Sequence, residues 1–115
     1  MKCLKRTVPA LVILLVFGVC CSACYAGDIK DAVKLHDKGK REFRREDYKE
    51  AADYFKQAIN DCPDNALTPV SMYYLADSYE KMGKDSKARA TYKELVAKYK
   101  SGYWVQQAEK QLQAG

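Results

Sequence analysis

Any catalytic reading of this chain must start from one histidine, His36, and, beyond the first 26 residues, one cysteine, Cys62. A histidine base needs a nucleophile to deprotonate and a group that orients its ring. No G-x-S-x-G or serine–lysine motif accompanies His36, which reads instead as a partly exposed residue of a helix surface. Asp61 and Asp64 flank Cys62 and could be drawn as a metal corner. Pro63 stands between them, and aspartates around a proline are better explained as turn formers. No zinc spacing, haem-attachment motif or second thiol follows, so Cys62 is expected to be a small buried filler. The expectation is a non-catalytic protein with no metal and no cofactor.

The other four cysteines (Cys3, Cys20, Cys21 and Cys24) belong to a segment of different character. Lys2, Lys5 and Arg6 precede the uninterrupted apolar run "LVILLVFGV" (11–19), and small residues follow. That is the layout of a secretory signal. Two processing sites stay open. Cleavage after Ala26 makes Gly27 the first residue of the mature chain. Alternatively "CSAC" (21–24) resembles a bacterial lipobox, with Cys21 where an aliphatic residue is usual, and Cys24 becomes the lipidated residue. A retained membrane anchor is the third option, weakened by Pro9 and by the small-residue end, since a span needs about 20 apolar residues. Residues 1–26 are therefore a signal peptide or lipoprotein leader, and 27–115 the fold. Export follows, to the periplasm or cell envelope, soluble or as an outer-membrane lipoprotein.

Three of the 20 Lys+Arg and none of the 15 Asp+Glu lie in the leader, which lowers the formal charge from +5 to +2 beyond it. A phosphate-backbone binder would show a one-signed face. The densest basic run, "KGKREFRRED" (38–47), is interleaved with Glu42 and Glu46 and spreads around a helix, so it reads as a solvated face. No nucleic-acid partner is expected.

The mature chain reads as helix throughout, in five segments. The first runs from about Ile29 to Arg44, with Asp28 as its cap. The second runs from about Tyr48 to Asn60, opened by Asp47 with Glu50 three residues on, a capping-box variant. Positions 48, 51, 52, 55, 58 and 59 form its apolar stripe. Thr68-Pro69 reads as cap plus first residue of a third helix reaching Met82, and Gly83 as its left-handed stop. Asp85 caps a fourth, with Ala88, Tyr92, Leu95, Val96 and Tyr99 on one side. "KSG" (100–102) breaks the chain before a short fifth helix carrying Trp104, Ala108 and Leu112. The short loops make successive helices antiparallel neighbours.

A spacing then repeats. Gly39 aligns with Ala76, Ala51 with Ala88 and Phe55 with Tyr92, each at a shift of 37 residues. Small residues at such positions let two helix backbones approach, and aromatics fill the space beside them. The pattern resembles the tetratricopeptide repeat, a helix–turn–helix unit of about 34 residues. Its first copy (about 32–65) holds Gly39, Tyr48, Ala51, Phe55, Ala58 and Pro63. The second (about 66–100) holds Leu75, Ala76, Tyr79, Gly83, Ala88 and Tyr92. It departs from the family pattern at Leu95, where a small residue is usual, and at Lys100, where proline is usual. The longer period predicts an extended link between the copies.

The resemblance implies an all-α, short right-handed solenoid of two helix–turn–helix repeats with a capping helix at about 102–113. Residues 73–112 look most like envelope repeat proteins of Gram-negative bacteria, of the Tol–Pal-associated and outer-membrane-assembly lipoprotein type. It further implies an adaptor or scaffold that binds a protein or peptide segment in the envelope, the alternative being a membrane-tethered structural subunit of an envelope assembly. The first helices of such repeats line a concave groove. Here that groove would present Val33, His36, Lys40, Phe43 and Arg44, then Val70, Tyr73, Tyr74, Asp77, Glu80 and Lys81. Tyr103 and Trp104 would seal the open end of helices three and four, or dock a second copy. Stacked repeats normally need about three units, so a homo-oligomer joined through a solenoid end is a further expectation.

Overall fold

The computed structural model describes residues 28–114; the signal segment, cleavage at Ala26/Gly27 and lipidation of Cys24 lie outside them. The described chain forms α1 (Asp28–Arg44), α2 (Tyr48–Asp61), α3 (Thr68–Lys81), α4 (Asp85–Tyr99) and α5 (Tyr103–Ala114). Each helix packs on the next, while α1 also meets α3 and α3 meets α5. Among the described residues no helix is long and apolar enough to cross a membrane. The arrangement is a short all-α solenoid of two antiparallel hairpins, α1–α2 and α3–α4, closed by α5.

The turns explain where the helices stop. After α1, the Asp47 amide donates to the Glu42 carbonyl (2.9 Å) and the Glu46 amide to that of Phe43 (3.0 Å). After α3, Lys84 donates to Tyr79 (2.8 Å) and Gly83 to Glu80 (3.0 Å). Both are Schellman closures, which require a left-handed residue at the turn. Gly83 supplies it at φ +77°, and Glu46, 37 residues earlier, supplies it at φ +64°. Asp47 accepts from the Glu50 amide at 3.4 Å and so caps α2. Three other caps differ from expectation: Asp28 is itself the first residue of α1, and Leu67 and Lys84 occupy the cap positions of α3 and α4, where neither makes a side-chain cap bond. Thr68 and Asp85 are instead the first helical residues. Asp85 stays in the first turn, where its charge favours the helix N-terminus.

The small-and-aromatic set does hold the hairpins together. Ala51, Phe55 and Ala76 are fully buried, and Ala58, Leu75, Ala88 and Tyr92 nearly so. A methyl on Gly39 would stand 2.8 Å from Phe55 Cε1, so the ring lies directly on the glycine backbone. Tyr48 and Tyr79 are half-buried at the edges of this packing, whereas Pro63 and Gly83 are exposed and contribute only turns. Leu95, the departure from the repeat pattern, is buried completely.

The link between hairpins, residues 62–67, is folded on itself. Asn65 folds it into consecutive turns: its Nδ2 donates to the Cys62 carbonyl (2.6 Å) and its Oδ1 accepts from the Leu67 amide (2.7 Å). The Asn65 amide also donates to Thr68 Oγ1 (3.0 Å). That bond is why Thr68 does not cap α3. Lys98 of α4 donates to the Pro63 carbonyl at 3.0 Å, fastening the link to the second hairpin. Cys62 is buried as expected, at 2% exposure.

Candidate partner-binding face

The sequence places the expected groove on α1 and α3, and one side chain of α3 joins them to each other and to α5. The Tyr74 ring stacks at 17° on Phe55, meets His36 and Phe43 edge-on, and lies 5.8 Å from Trp104. Lys40 Nζ stands 5.9 Å from its centroid, within cation–π range. Tyr73 turns the other way, toward Tyr92 (5.5 Å) and Trp104 (5.2 Å). Aromatic pairs at these offsets add about 0.5–1.5 kcal/mol each beyond their burial. The face is thus a rigid aromatic floor before any ligand arrives, since Phe43, Tyr73, Tyr74 and Trp104 are all half-buried.

Around that floor the expected residues separate into two groups. Val33, Arg44, Glu80 and Lys81 are exposed, and Lys40, Val70 and Asp77 are half-buried, so all seven remain in reach of solvent. His36 does not. It is 6% exposed, with its ring 5.5 Å from Phe55 and its Nδ1 3.0 Å from Ser71 Oγ. Burial, reinforced by the Lys40 charge and opposed by Asp37, holds its pKa below the usual 6.5. The ring is therefore neutral at neutral pH and ties α1 to α3, which corrects its placement among exposed groove residues. Ser71 was not singled out from the sequence. Its signal was the run Thr68, Ser71, Leu75 and Ser78 at helical spacing, the side of α3 that is buried.

The second hairpin adds a charged recess that sequence reasoning also missed. Glu80, Asp85, Arg89, Tyr92 and Gln111 line a cleft of about 300 Å³ between α3, α4 and α5. Tyr92 Oη donates to Glu80 Oε2 at 3.2 Å, which satisfies an otherwise buried hydroxyl. Burial, then the Asp77 and Glu80 charges, push the Tyr92 phenol pKa far up. Burial raises the Asp77 carboxyl as well, only partly offset by Lys81 and reinforced by Glu80. Arg89 points its Nη1 at the Leu112 carbonyl, 3.5 Å away at the end of α5. The sequence signal for this recess was the spacing of Tyr73, Asp77 and Glu80 on one side of α3, together with Gln111 on the cap.

The two ends of the solenoid look different. Trp104 packs inward as expected, but Tyr103 does not help to seal: it is 64% exposed, its ring edge-on to Trp104. The outer positions of α5 are Gln106, Glu109, Lys110 and Gln113, all exposed and polar. At the other end Lys38 Nζ covers the Tyr54 ring at 5.9 Å. The basic run resolves as expected into a solvated surface, with Arg45 paired to Glu42 at 3.3 Å. The exposed large apolar side chains among the described residues are Ile29 and Val33 on α1 and Tyr103 at the start of α5.

Among the described residues no group of three or more His, Cys, Asp or Glu is placed to hold a metal ion. What the face offers is aromatic area with little rotamer freedom left to lose, ringed by fixed charges, an arrangement suited to gripping a polypeptide.

A family model described as the tetratricopeptide repeat matches residues 31–101, more than half of the chain. No curated protein and no solved structure matches it significantly.

Proposed function

Because the chain belongs to the tetratricopeptide repeat family, whose repeats generally mediate protein–protein interaction, we propose that it is an exported adaptor of the bacterial cell envelope. It would bind a segment of another protein on the α1–α3–α5 face and carry out no chemistry. The observation that carries this reading is the Tyr74-centred aromatic floor, preorganised and still half-accessible. Envelope location is supported by the leader, with its basic start and the apolar run 11–19. The likeness of residues 73–112 to Tol–Pal-associated and outer-membrane-assembly repeat proteins supports the same location.

The binding test must spare the core. Tyr74 packs against Phe55 and His36, so truncating it would unfold the hairpin junction as well as alter the face. Val33, Lys81 and Tyr103 are exposed, and a Val33→Glu/Lys81→Ala/Tyr103→Ala variant changes the surface alone. Affinity capture from envelope extract should lose its specific partners with this variant while the helical melting curve is unchanged. Retention of every partner would refute the assignment of the face.

The membrane-tethered alternative rests on "CSAC" (21–24). Mass spectrometry of the mature N-terminus decides between them: a free Gly27 supports the soluble adaptor, and a lipid on Cys24 the tethered subunit.

A further inference from the structure

A buried titratable group joins the two hairpins beneath the proposed face. His36 belongs to α1, yet its neighbours come from both adjoining helices: Phe55 of α2, and Ser71 and Tyr74 of α3. Its 3.0 Å contact with Ser71 Oγ is the one hydrogen bond between α1 and α3 among the described residues. One turn further along α1, Lys40 lies over the same Tyr74 ring at 5.9 Å. The remaining packing does not depend on the histidine. Phe55 lies on Gly39 and stacks on Tyr74, while Ala51 and Ala52 cluster with Leu75. The α1–α3 contact can therefore part without opening either hairpin.

The site suits a neutral ring and not a charged one. Ser71 serves Nδ1 in either neutral tautomer, because a hydroxyl can accept a hydrogen bond or donate one. A second proton would place an imidazolium at a position only 6% exposed, where desolvation disfavours the charged form. The charges acting on the ring are Lys40, which repels a cation, and Asp37, which attracts it more weakly; both belong to α1. From α2 and α3 it is faced by Phe55, Ser71 and Tyr74, of which the Tyr74 phenol alone is titratable. Aromatic rings draw cations, but Tyr74 already holds the Lys40 ammonium. Two like charges four residues apart on one helix repel.

We propose that His36 is an acid-released latch between the hairpins: protonation drives its ring off Ser71 and Tyr74, parts α1 from α3 and so reshapes the Tyr74-centred face. By linkage, a proton that binds the released ring more tightly than the latched one favours release by the ratio of the two affinities. The latch is closed at neutral pH and opens on acidification below the usual histidine value of 6.5. It changes the shape of the face whatever that face binds, so its test is read on the free protein and is independent of the adaptor reading.

His36 is the chain's only histidine, which makes its ring signals unambiguous in an NMR titration. They should titrate below the usual value, and the Tyr74 ring and Trp104 indole signals, from rings 5.8 Å apart, should move with the same midpoint. Helical circular dichroism should stay constant over that range. Lys40→Met removes the repelling charge and should shift the His36 and Trp104 midpoints upward together. His36→Phe keeps a ring but cannot take the proton, and should lose the Trp104 transition. The latch is overturned if the His36 ring titrates while Tyr74 and Trp104 stay in place, or if helix is lost along the same curve. A Trp104 transition that survives in His36→Phe, or midpoints that separate in Lys40→Met, would overturn it equally.

Discussion

The two hairpins solve one packing problem with different side chains. In the first, Phe55 lies on Gly39 so closely that a single methyl has no room. In the second the same positions hold Tyr92 and Ala76, both buried, and the Tyr92 ring carries a hydroxyl that must reach Glu80. The turns differ in the opposite sense. The second hairpin closes on Gly83, while the first forces Glu46 into the same left-handed conformation. The first hairpin is therefore more tightly filled at its crossing and more strained at its turn. Backbone geometry is the shared constraint, and side-chain volume and strain are distributed around it independently.

Substitutions can break this contrast at its strongest point. Phe55→Ala should cost about 3–5 kcal/mol in urea unfolding, against about 1 kcal/mol for Tyr92→Phe, which loses one hydrogen bond. Equal losses would refute the difference in how the two rings are held. Next comes the crossing itself: Gly39→Ala should destabilise by about 1–3 kcal/mol despite its better helix propensity. Ala76→Gly should lose about 1 kcal/mol through propensity alone. A neutral Gly39→Ala would mean that Phe55 withdraws freely. The turns predict a smaller and opposite pair. Glu46→Gly should stabilise, and Gly83→Glu destabilise, each by about 1 kcal/mol or less; thermal melts of the two variants measure it.

The weakest and most diagnostic contrast is in pH. His36 in the first hairpin has its pKa lowered by burial, so the unfolded chain binds the extra proton first. Stability present above about pH 6.5 should fall as acid is added through that value and then level off below the folded-state pKa. Asp77 in the second has its pKa raised by burial, so the folded state binds the proton first and stability is regained on further acidification. His36→Phe should abolish the first slope and Asp77→Asn the second, read as melting temperature across pH 4–7.5. An unchanged profile in His36→Phe would show that the ring is not held neutral in the fold.

Helix positions were legible because they depend on local spacing. The stripe at 51, 52, 55 and 58 and the breaks at Gly83 and "KSG" (100–102) are written within single turns of chain. The family resemblance was legible for the same reason, since small residues recurring at a shift of 37 mark close backbone contacts. The fate of individual side chains was less so. His36 was placed on the surface because nothing local reveals that Ser71 waits 35 residues away to accept it. Lys84 and Leu67 took cap positions because the link and turn hydrogen bonds had already fixed the chain there. The recess around Glu80, Asp85 and Gln111 escaped notice because three helices supply it and no one of them carries its pattern.

The Asn65 knot has a consequence for how such a small array behaves under load. A joint stitched by one amide side chain and fastened by Lys98 cannot swivel freely, so the two hairpins answer a pull as one lever. A guest seated on one of them would shift the other by the same angle, and the chain can pass a tug from its first hairpin to its far cap with little slack.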